Sequence, residues 1–352
     1  MQRPLTVHDL PPLASFACLE DAITHAARAL GFHAVGMVSV EDLKTHPHWQ
    51  LAQANYHAWI SQKYQAGMDW MTRYTALRLE PWQLLPGTQS IVCVAISYRS
   101  KPIRPHTSPH HGFQVAQYAQ GKDYHRVIRK RLQRLLNLIQ AWIPEHEGQA
   151  TQGRPLTDSA PALEKPLAQL AGLGWQGKNT LLIHPTLGST IFLGELLLTL
   201  PLRSSTPFTT HHCGTCTRCL EACPTQAFPQ PGVLDSNRCI AYWTIETDAQ
   251  TLFPNAIAQQ LNGWVFGCDI CQQVCPFNQK APSLTISGQS HLIKADTAFE
   301  PRPWIQSPDT HQWQQLSQAQ FNQWFQANPI QRTGLEGLQR NMTLALQAIK
   351  PS

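Results

Sequence analysis

Eight of the ten cysteines in this chain lie in one stretch, between Cys213 and Cys275. Cys213, Cys216, Cys219 and Cys223, followed by Pro224, spell C-x2-C-x2-C-x3-C-P. Two-residue gaps let a tight loop wrap a cubane, and the proline fixes the turn that carries the last sulfur away. Such a run holds 4Fe-4S clusters, three thiolates on one cluster and the fourth on another. A second, altered run follows. Cys268, Cys271 and Cys275 before Pro276 give C-x2-C-x3-C-P, one cysteine short, and Cys239 supplies the missing ligand. Crossed ligation predicts cluster one on Cys213, Cys216, Cys219 and Cys275, and cluster two on Cys223, Cys239, Cys268 and Cys271. Two zinc sites would pair C-x2-C units across a longer gap and leave the third cysteine and both Cys-Pro steps without a use. Cys18 and Cys93 sit in helical or apolar settings and read as buried bystanders.

The chain is long enough for two or three domains, with 42% hydrophobic and 14% charged residues over 352 positions. A formal charge of +5 permits an anionic partner such as RNA without requiring one. The opening "MQRPLTVHDLPPLASF" has no basic-then-apolar order and no twin arginine. The most apolar stretch, "IFLGELLLTLPL" at 191–202, is too short to span a membrane and carries Glu195, so it reads as a buried strand or core helix. A cytoplasmic protein without a membrane partner is expected. There, clustered cysteines serve as metal ligands or free thiols rather than disulfides.

Residues 19–30 read as an amphipathic helix stopped by Gly31, and "HAVGMVSV" as a strand. "SIVCVAISY" (90–98) suits a central strand. A long helix is predicted over 122–143, with Val127, Ile128, Leu132, Leu135, Leu136, Ile139 and Trp142 inward and Pro144 at its end. This mixture places the first two hundred residues or so in an α/β or α+β domain. "PLRSSTPFTTHH" (201–212) reads as a linker, and the tail from about 291 as helical. His110, His111, His211 and His212 read as solvent-exposed loop residues.

"AGLGWQGKNT" (171–180) nearly matches two nucleotide-binding fingerprints. Both need a strand before the glycines and a helix after them, because the helix N-terminus holds the phosphate. Here the order is reversed: Leu163, Leu167 and Leu170 mark a helix upstream, with Glu164 and Lys165 on its other side, and "TLLIHP" reads as a strand downstream. Gly172 and Gly174 are then helix-terminating glycines.

Two clusters relay single electrons, and the large leading domain implies a destination for them: a flavin, a corrinoid or a substrate directly. Several stretches narrow the choice. They are 67–98, "YAQGKDYH" (118–125), "DSAPALEKPLAQLAGLGWQGKNTLLIHP" (158–185), "CGTCTRCLEACPTQAF" (213–228), "LDSNRCIAYWTIE" (234–246) and "GWVFGCDICQQVCPFN" (263–278). With these the chain closely resembles the epoxyqueuosine reductase family, cobalamin-dependent iron–sulfur enzymes of tRNA modification. The resemblance implies an α+β fold. A cobalamin-binding domain (1–205) resembling flavin-reductase and reductive-dehalogenase domains would precede a ferredoxin-like domain with two 4Fe-4S clusters (206–290) and a short helical repeat-like region (291–352). It implies reduction of epoxyqueuosine to queuosine at the tRNA wobble position, the last step of queuosine synthesis. The expected partners are that tRNA and an external low-potential electron donor, and a monomer is expected. A reductive dehalogenase-like corrinoid enzyme and a corrinoid or iron–sulfur electron-transfer protein are the rivals.

The resemblance also implies site residues. Asp158 matches the general acid, and burial beside a corrin is expected to raise its pKa; its alternative is a helix N-cap. Tyr118, Asp123, Tyr124 and His125 match part of the active-site wall, with Asp123 equally suited to cap the following helix. Gly174, Lys178, Asn179 and Thr180 match a segment of the cobalamin pocket, or else form only a connector. Arg126, Arg129, Lys130, Arg131 and Arg134 offer phosphate contacts or a solvated face. Tyr242 and Trp243 are candidates for stacking on anticodon bases, or core residues.

Overall fold

A computed structural model describes residues 6–99, 112–281, 296–306 and 308–349, so His110 and His111 lie outside the described residues. The leading helix α1 (Leu19–Ala29) buries Ala22, Ile23, Ala26 and Ala27, and the chain turns at Gly31 with φ +91°. Strand β1 (Ala34–Ser39) follows. Strand β2 (Ser90–Ser97) is buried at all eight positions. Helix α2 (Tyr124–Trp142) turns Ile128, Leu132, Leu135, Leu136, Leu138 and Ile139 inward, while Val127 and Trp142 are only partly covered.

Strand β3 (Gly153–Leu156), helix α3 (Glu164–Leu170) and strand β4 (Ile191–Leu198) complete the site-bearing unit. The sheet order is β1–β2–β4–β3 with every pairing antiparallel, so helices and an antiparallel sheet give the α+β class. "IFLGELLL" is thus a strand. Strand period two divides the core. Val92, Val94 and Ile96 pack under α1 and α2, while Ile91, Cys93 and Ala95 face Leu167 and Leu170 of α3. Each fully buried aliphatic side chain contributes roughly 1.5–3 kcal/mol.

Helix α3 is shorter than its leucine spacing predicts, with Leu163 outside as the N-cap. Its end is a Schellman motif: Gly172 N–H donates to Gln169 O (3.0 Å), Leu173 N–H donates to Ala168 O (2.9 Å), and Gly172 takes φ +82°. Gly174 serves another purpose. A Cβ there would stand 2.2 Å from the Ile183 carbonyl oxygen, in the hairpin that pairs Trp175–Gln176 with Leu182–Ile183. The order is helix, glycines, hairpin, and no helix N-terminus follows the glycines.

The 201–212 linker is fastened along the outer edge of β1: Ser205 and Ser204 hydroxyls accept from Met37 and Ser39 N–H, and Ser205 N–H donates to Met37 O. Two expectations need correction. Glu164 and Lys165 do not point to solvent but are half-buried toward the carboxylates described below. Cys18 is half-buried at the N-cap of α1, whereas Cys93 is wholly buried.

A second core joins distant segments. Phe113 and Val115 pack with Ile240, Trp264 and Phe266, and with Trp313, Phe321, Phe325 and Leu338 from the helical tail. The last helix, α4 (Gly334–Ile349), lies against the Trp264–Phe266 strand. Among the described residues, no helix is long and apolar enough to cross a membrane.

Candidate active site

The start of α2 gathers three of the predicted wall residues around Asp158. Asp123 caps the helix, accepting from His125 N–H (3.1 Å), and its Oδ1 also meets His125 Nδ1 at 2.7 Å. Asp123 therefore caps the helix, one of its two readings, and also bonds the His125 ring. His125 Nε2 lies 2.8 Å from Asp158 Oδ2, and the Tyr124 hydroxyl donates to the same oxygen at 2.7 Å. The Tyr124 ring is stacked between His125 (4.0 Å) and Phe192 (4.3 Å), with Tyr118 edge-on at 6.2 Å.

Asp158 caps no helix, since α3 begins six residues later. It stands at φ +51°, a left-handed conformation costing on the order of 1 kcal/mol or more for a non-glycine residue. Glu164 Oε1 braces this turn by accepting Asp158 N–H at 2.5 Å. Half of the Asp158 side-chain surface remains open.

The charge state differs from the expectation that burial raises Asp158. Burial does push its pKa up, but the His125 and Tyr124 hydrogen bonds outweigh it and hold the carboxyl below its ordinary value. Burial also opposes the charge on His125, yet its bonds to Asp123 and Asp158 raise the imidazole to about 9. At neutral pH the proton therefore rests on His125, between two carboxylates.

Lys165, which faces Asp158, also feels Cys271 of the cysteine-rich segment. The Cys219 thiol is pushed up to about 11 by burial and then by the nearby sulfurs of Cys275, Cys213 and Cys216. Burial raises Cys275 as well, and Cys213 and Cys216 add to it. Cys239, Cys268 and Cys271 are all raised by burial; Cys268 then feels Cys271 and Cys239, Cys271 feels Cys239 and Cys223, and Cys239 feels Cys223. Cys271 also feels Cys219, so the two groups of sulfurs adjoin. Among the described residues no three of these side chains close to the distances a single ion requires. The thiolates of a cubane stand apart at its corners, so mutual field is the appropriate description of the two sets. Trp175 packs with Cys213 and Cys275, and its buried Nε1 meets no acceptor among the described residues.

Known proteins share both halves of this arrangement. Residues 78–159 match the family model "Epoxyqueuosine reductase QueG, DUF1730", and residues 212–278 match the 4Fe-4S double cluster binding domain. The epoxyqueuosine reductase of Gloeobacter violaceus is 41% identical over 93% of this chain and 95% of its own length. The family is decided. The chain belongs to the epoxyqueuosine reductases. The Pseudomonas aeruginosa member is 36% identical over 98% of this chain and 89% of its own. A crystal structure of an epoxyqueuosine reductase with an epoxyqueuosine-modified tRNA-Tyr stem loop superposes with a TM-score of 0.79. It is 26% identical, covering 94% of this chain and 81% of that one. A Bacillus subtilis structure, with a catalytic Asp loop swung out of the active site, gives 0.78 at the same identity, over 94% and 82%. As a family member the chain is an oxidoreductase that binds iron–sulfur clusters.

Within this reductase the remaining predicted residues take separate places. Lys178 Nζ donates to the carbonyls of Gly214 (2.7 Å) and Cys216 (3.0 Å), bracing the first cysteine loop. Asn179 is buried with its Nδ2 unpartnered, and Thr180 turns the chain at φ +65°. Arg131 pairs with Asp296, Arg129 donates to Ser159 Oγ and Arg126 Nε lies 3.8 Å from Asp123 Oδ2, while Arg126, Arg129 and Lys130 all remain exposed. His211 and His212 are exposed, as expected. The Tyr242 hydroxyl accepts from Gly67 N–H and Trp243 Nε1 donates to Asn237 O, so both rings are tied into the fold.

Sequence reasoning missed the aromatic rim. Trp70 and Tyr74 are 40% and 69% exposed, and the Arg332 guanidinium lies 5.1 Å from the Trp70 ring centroid. Arg332 also pairs with Glu246 and acts on Asp158, so one cation links Trp70 to the Asp158 carboxyl. "GMDWMTRY" carried an aromatic signal, but nothing local marks which rings stay uncovered.

Proposed function

We propose that this protein reduces epoxyqueuosine to queuosine in tRNA, using cobalamin and two 4Fe-4S clusters. The observation that carries this reading is the half-open Asp158 carboxylate, clamped by Tyr124 and His125, in a chain whose second cysteine set acts on the same Lys165 that faces Asp158. Deoxygenating an epoxide consumes two electrons and two protons and releases water, so a proton source must sit beside an electron relay. Lys165 senses both Asp158 and Cys271, which supports the second cysteine set as the one nearer the acid. Cluster one, on Cys213, Cys216, Cys219 and Cys275, would then be the entry from an external low-potential donor. Cluster two, on Cys223, Cys239, Cys268 and Cys271, would be the exit.

The buried Nδ2 of Asn179, unpartnered among the described residues, is the kind of donor that the amide oxygens of a corrin take up, and it supports a cobalamin-binding role for this segment. Asn179 and Thr180 would hold the group, with Tyr118, Tyr124 and His125 forming wall. Lys178 serves it indirectly, through the cysteine loop. Cobalamin supplies a strongly reducing, nucleophilic cobalt centre. The protein's own part is to orient the epoxide, exclude water and deliver protons from the His125–Asp158 pair to the epoxide oxygen. Trp70, Tyr74 and Arg332 offer stacking faces and a cation to an unpaired anticodon loop. A cytoplasmic location agrees with a tRNA substrate.

Anaerobic turnover of epoxyqueuosine-containing tRNA, with and without cobalamin, tests the whole reading by nucleoside mass spectrometry. Cobalamin-dependent appearance of queuosine is the expected outcome. No conversion with both clusters intact and reducible would overturn it and favour a small-molecule substrate or an electron carrier.

A further inference from the structure

Glu195 is the one carboxylate on the four strands of the main sheet. It pairs across the strands with Cys93 and Leu156, and so lies on the face of the sheet that packs under α3. The residue is 0% exposed, and neither carboxyl oxygen receives a protein N–H or O–H among the described residues. An ionised carboxylate without a donor is very costly in such a place, so Glu195 is neutral and carries its own proton. The polar group it meets is the carboxyl of Glu164, the first residue of α3. A neutral carboxyl has one O–H to give, and Glu164 is there to accept it. Glu164 in turn accepts the backbone N–H of Asp158 through Oε1, at 2.5 Å. That N–H belongs to a residue at φ +51°, a conformation that persists only where the surroundings impose it.

We propose that Glu195 is a positioning residue: its hydroxyl holds Glu164, and Glu164 holds the backbone of Asp158 so that the Asp158 carboxyl meets Tyr124 and His125. The line runs from the middle of the sheet, through the start of α3, to the turn that carries the acid. The proton on Glu195 stays in place throughout, and none passes along this line. The part it plays in catalysis rests on the reaction proposed above. The hold on the Asp158 turn stands on the geometry alone.

The surrounding charges suit this division of labour. Burial and then the charge of Asp158 raise Glu164 to about 7, opposed by its bonds to Asp158 N–H and Glu195 and by Lys165. Glu195 lies well above its ordinary value, through burial first and the Glu164 carboxyl next, so of the two it keeps the proton more firmly. Lys165 and the buried Arg78 both face Glu164 and Asp158 and offset the charge that an accepting Glu164 carries. On the other side of the turn His125, Tyr124 and Arg332 face Asp158. Cys93 lies beside Glu195 on the neighbouring strand and, raised by burial, is a neutral thiol.

The test sets E195M beside E195Q in the cluster-loaded enzyme. Methionine matches the length of glutamate and suits the apolar face, so the melting temperature should hold, but it has no O–H to give. Glutamine keeps a donor in the same place. Without substrate, hydrogen exchange read by mass spectrometry should show the Asp158 amide protected in wild type and E195Q and unprotected in E195M. In turnover of the tRNA, E195M should lose about 10²-fold in kcat, the effect of a misplacement of about 1 Å, with KM unchanged. E195Q should turn over as wild type does. Asp123 and Asp158 raise His125 to about 9 against its burial, so a displaced Asp158 should move the alkaline fall in kcat to lower pH in E195M alone. E164M removes the acceptor from the helix side and should reproduce E195M in exchange, kcat and pH profile. An E195M enzyme with a protected Asp158 amide, or with wild-type kcat and pH profile, overturns the proposal, and so does an E195Q as impaired as E195M. Should wild type make no queuosine, the catalytic part falls with the reaction, and amide exchange still decides the hold on Asp158.

Discussion

At Asp158 two opposing influences meet, and the hydrogen bonds win. His125 and Tyr124 keep the carboxylate ionised while His125 keeps the proton up to about pH 9. The Asp158→Asn variant keeps the shape and loses the charge, so turnover should fall by about 10²- to 10⁴-fold in a single-turnover assay. The sign of the pH effect follows from the raised imidazole. Stability from the His125 ion pairs is fully present below its ordinary pKa of 6.5 and is lost as pH rises through about 9. Both turnover and thermal stability of the wild type should decline through that window. Asp158→Asn should flatten the stability decline, as followed by melting temperature against pH. This charge state was not legible in the sequence. "DSAPALEKP" and "YAQGKDYH" lie more than thirty residues apart, and only folding brings a donor from each of Tyr124 and His125 onto one oxygen.

Among the elements, the α3–hairpin segment shows how one glycine-rich string serves packing. Gly174 lets the backbone touch Ile183, so Gly174→Ala should destabilise by about 2 kcal/mol or more and lower the melting temperature. The hairpin also sets Trp175 beside Cys213 and Cys275 with an N–H that meets no acceptor among the described residues. Hydrogen bonds to cluster sulfurs raise potential. Trp175→Phe should therefore lower the midpoint potential of one cluster, read by a redox titration with electron paramagnetic resonance, and leave the other unchanged. The helix, glycine and strand order was legible from leucine spacing and Pro185. That Glu164 and Lys165 turn inward was not, because a seven-residue helix between a sheet and a polar site has no solvent face to spare.

For the molecule as a whole, the crossing of the cysteine runs is the feature that matters. If Cys275 joins Cys213, Cys216 and Cys219, then Cys275→Ser should remove the cluster bound by the first run and spare the one bound through Cys268 and Cys271. Iron analysis should show about half the wild-type content. The rim predicts a separate effect. Trp70→Ala should raise KM for tRNA by roughly tenfold, within the 1–3 kcal/mol expected of one stacked base, with kcat little changed.

The cysteine spacing, the apolar run of β2 and the periodicity of α2 determined the cluster set, the central strand and the long helix. These are local patterns: ligand spacing along a loop, and burial periods of two and 3.6 residues. The tertiary structure alone decided where the proton rests, which aromatics stay exposed, and that Glu195 lies buried against Glu164. Each depends on what a side chain meets across the fold, and a pKa or an exposure belongs to that meeting rather than to any residue's place in the chain.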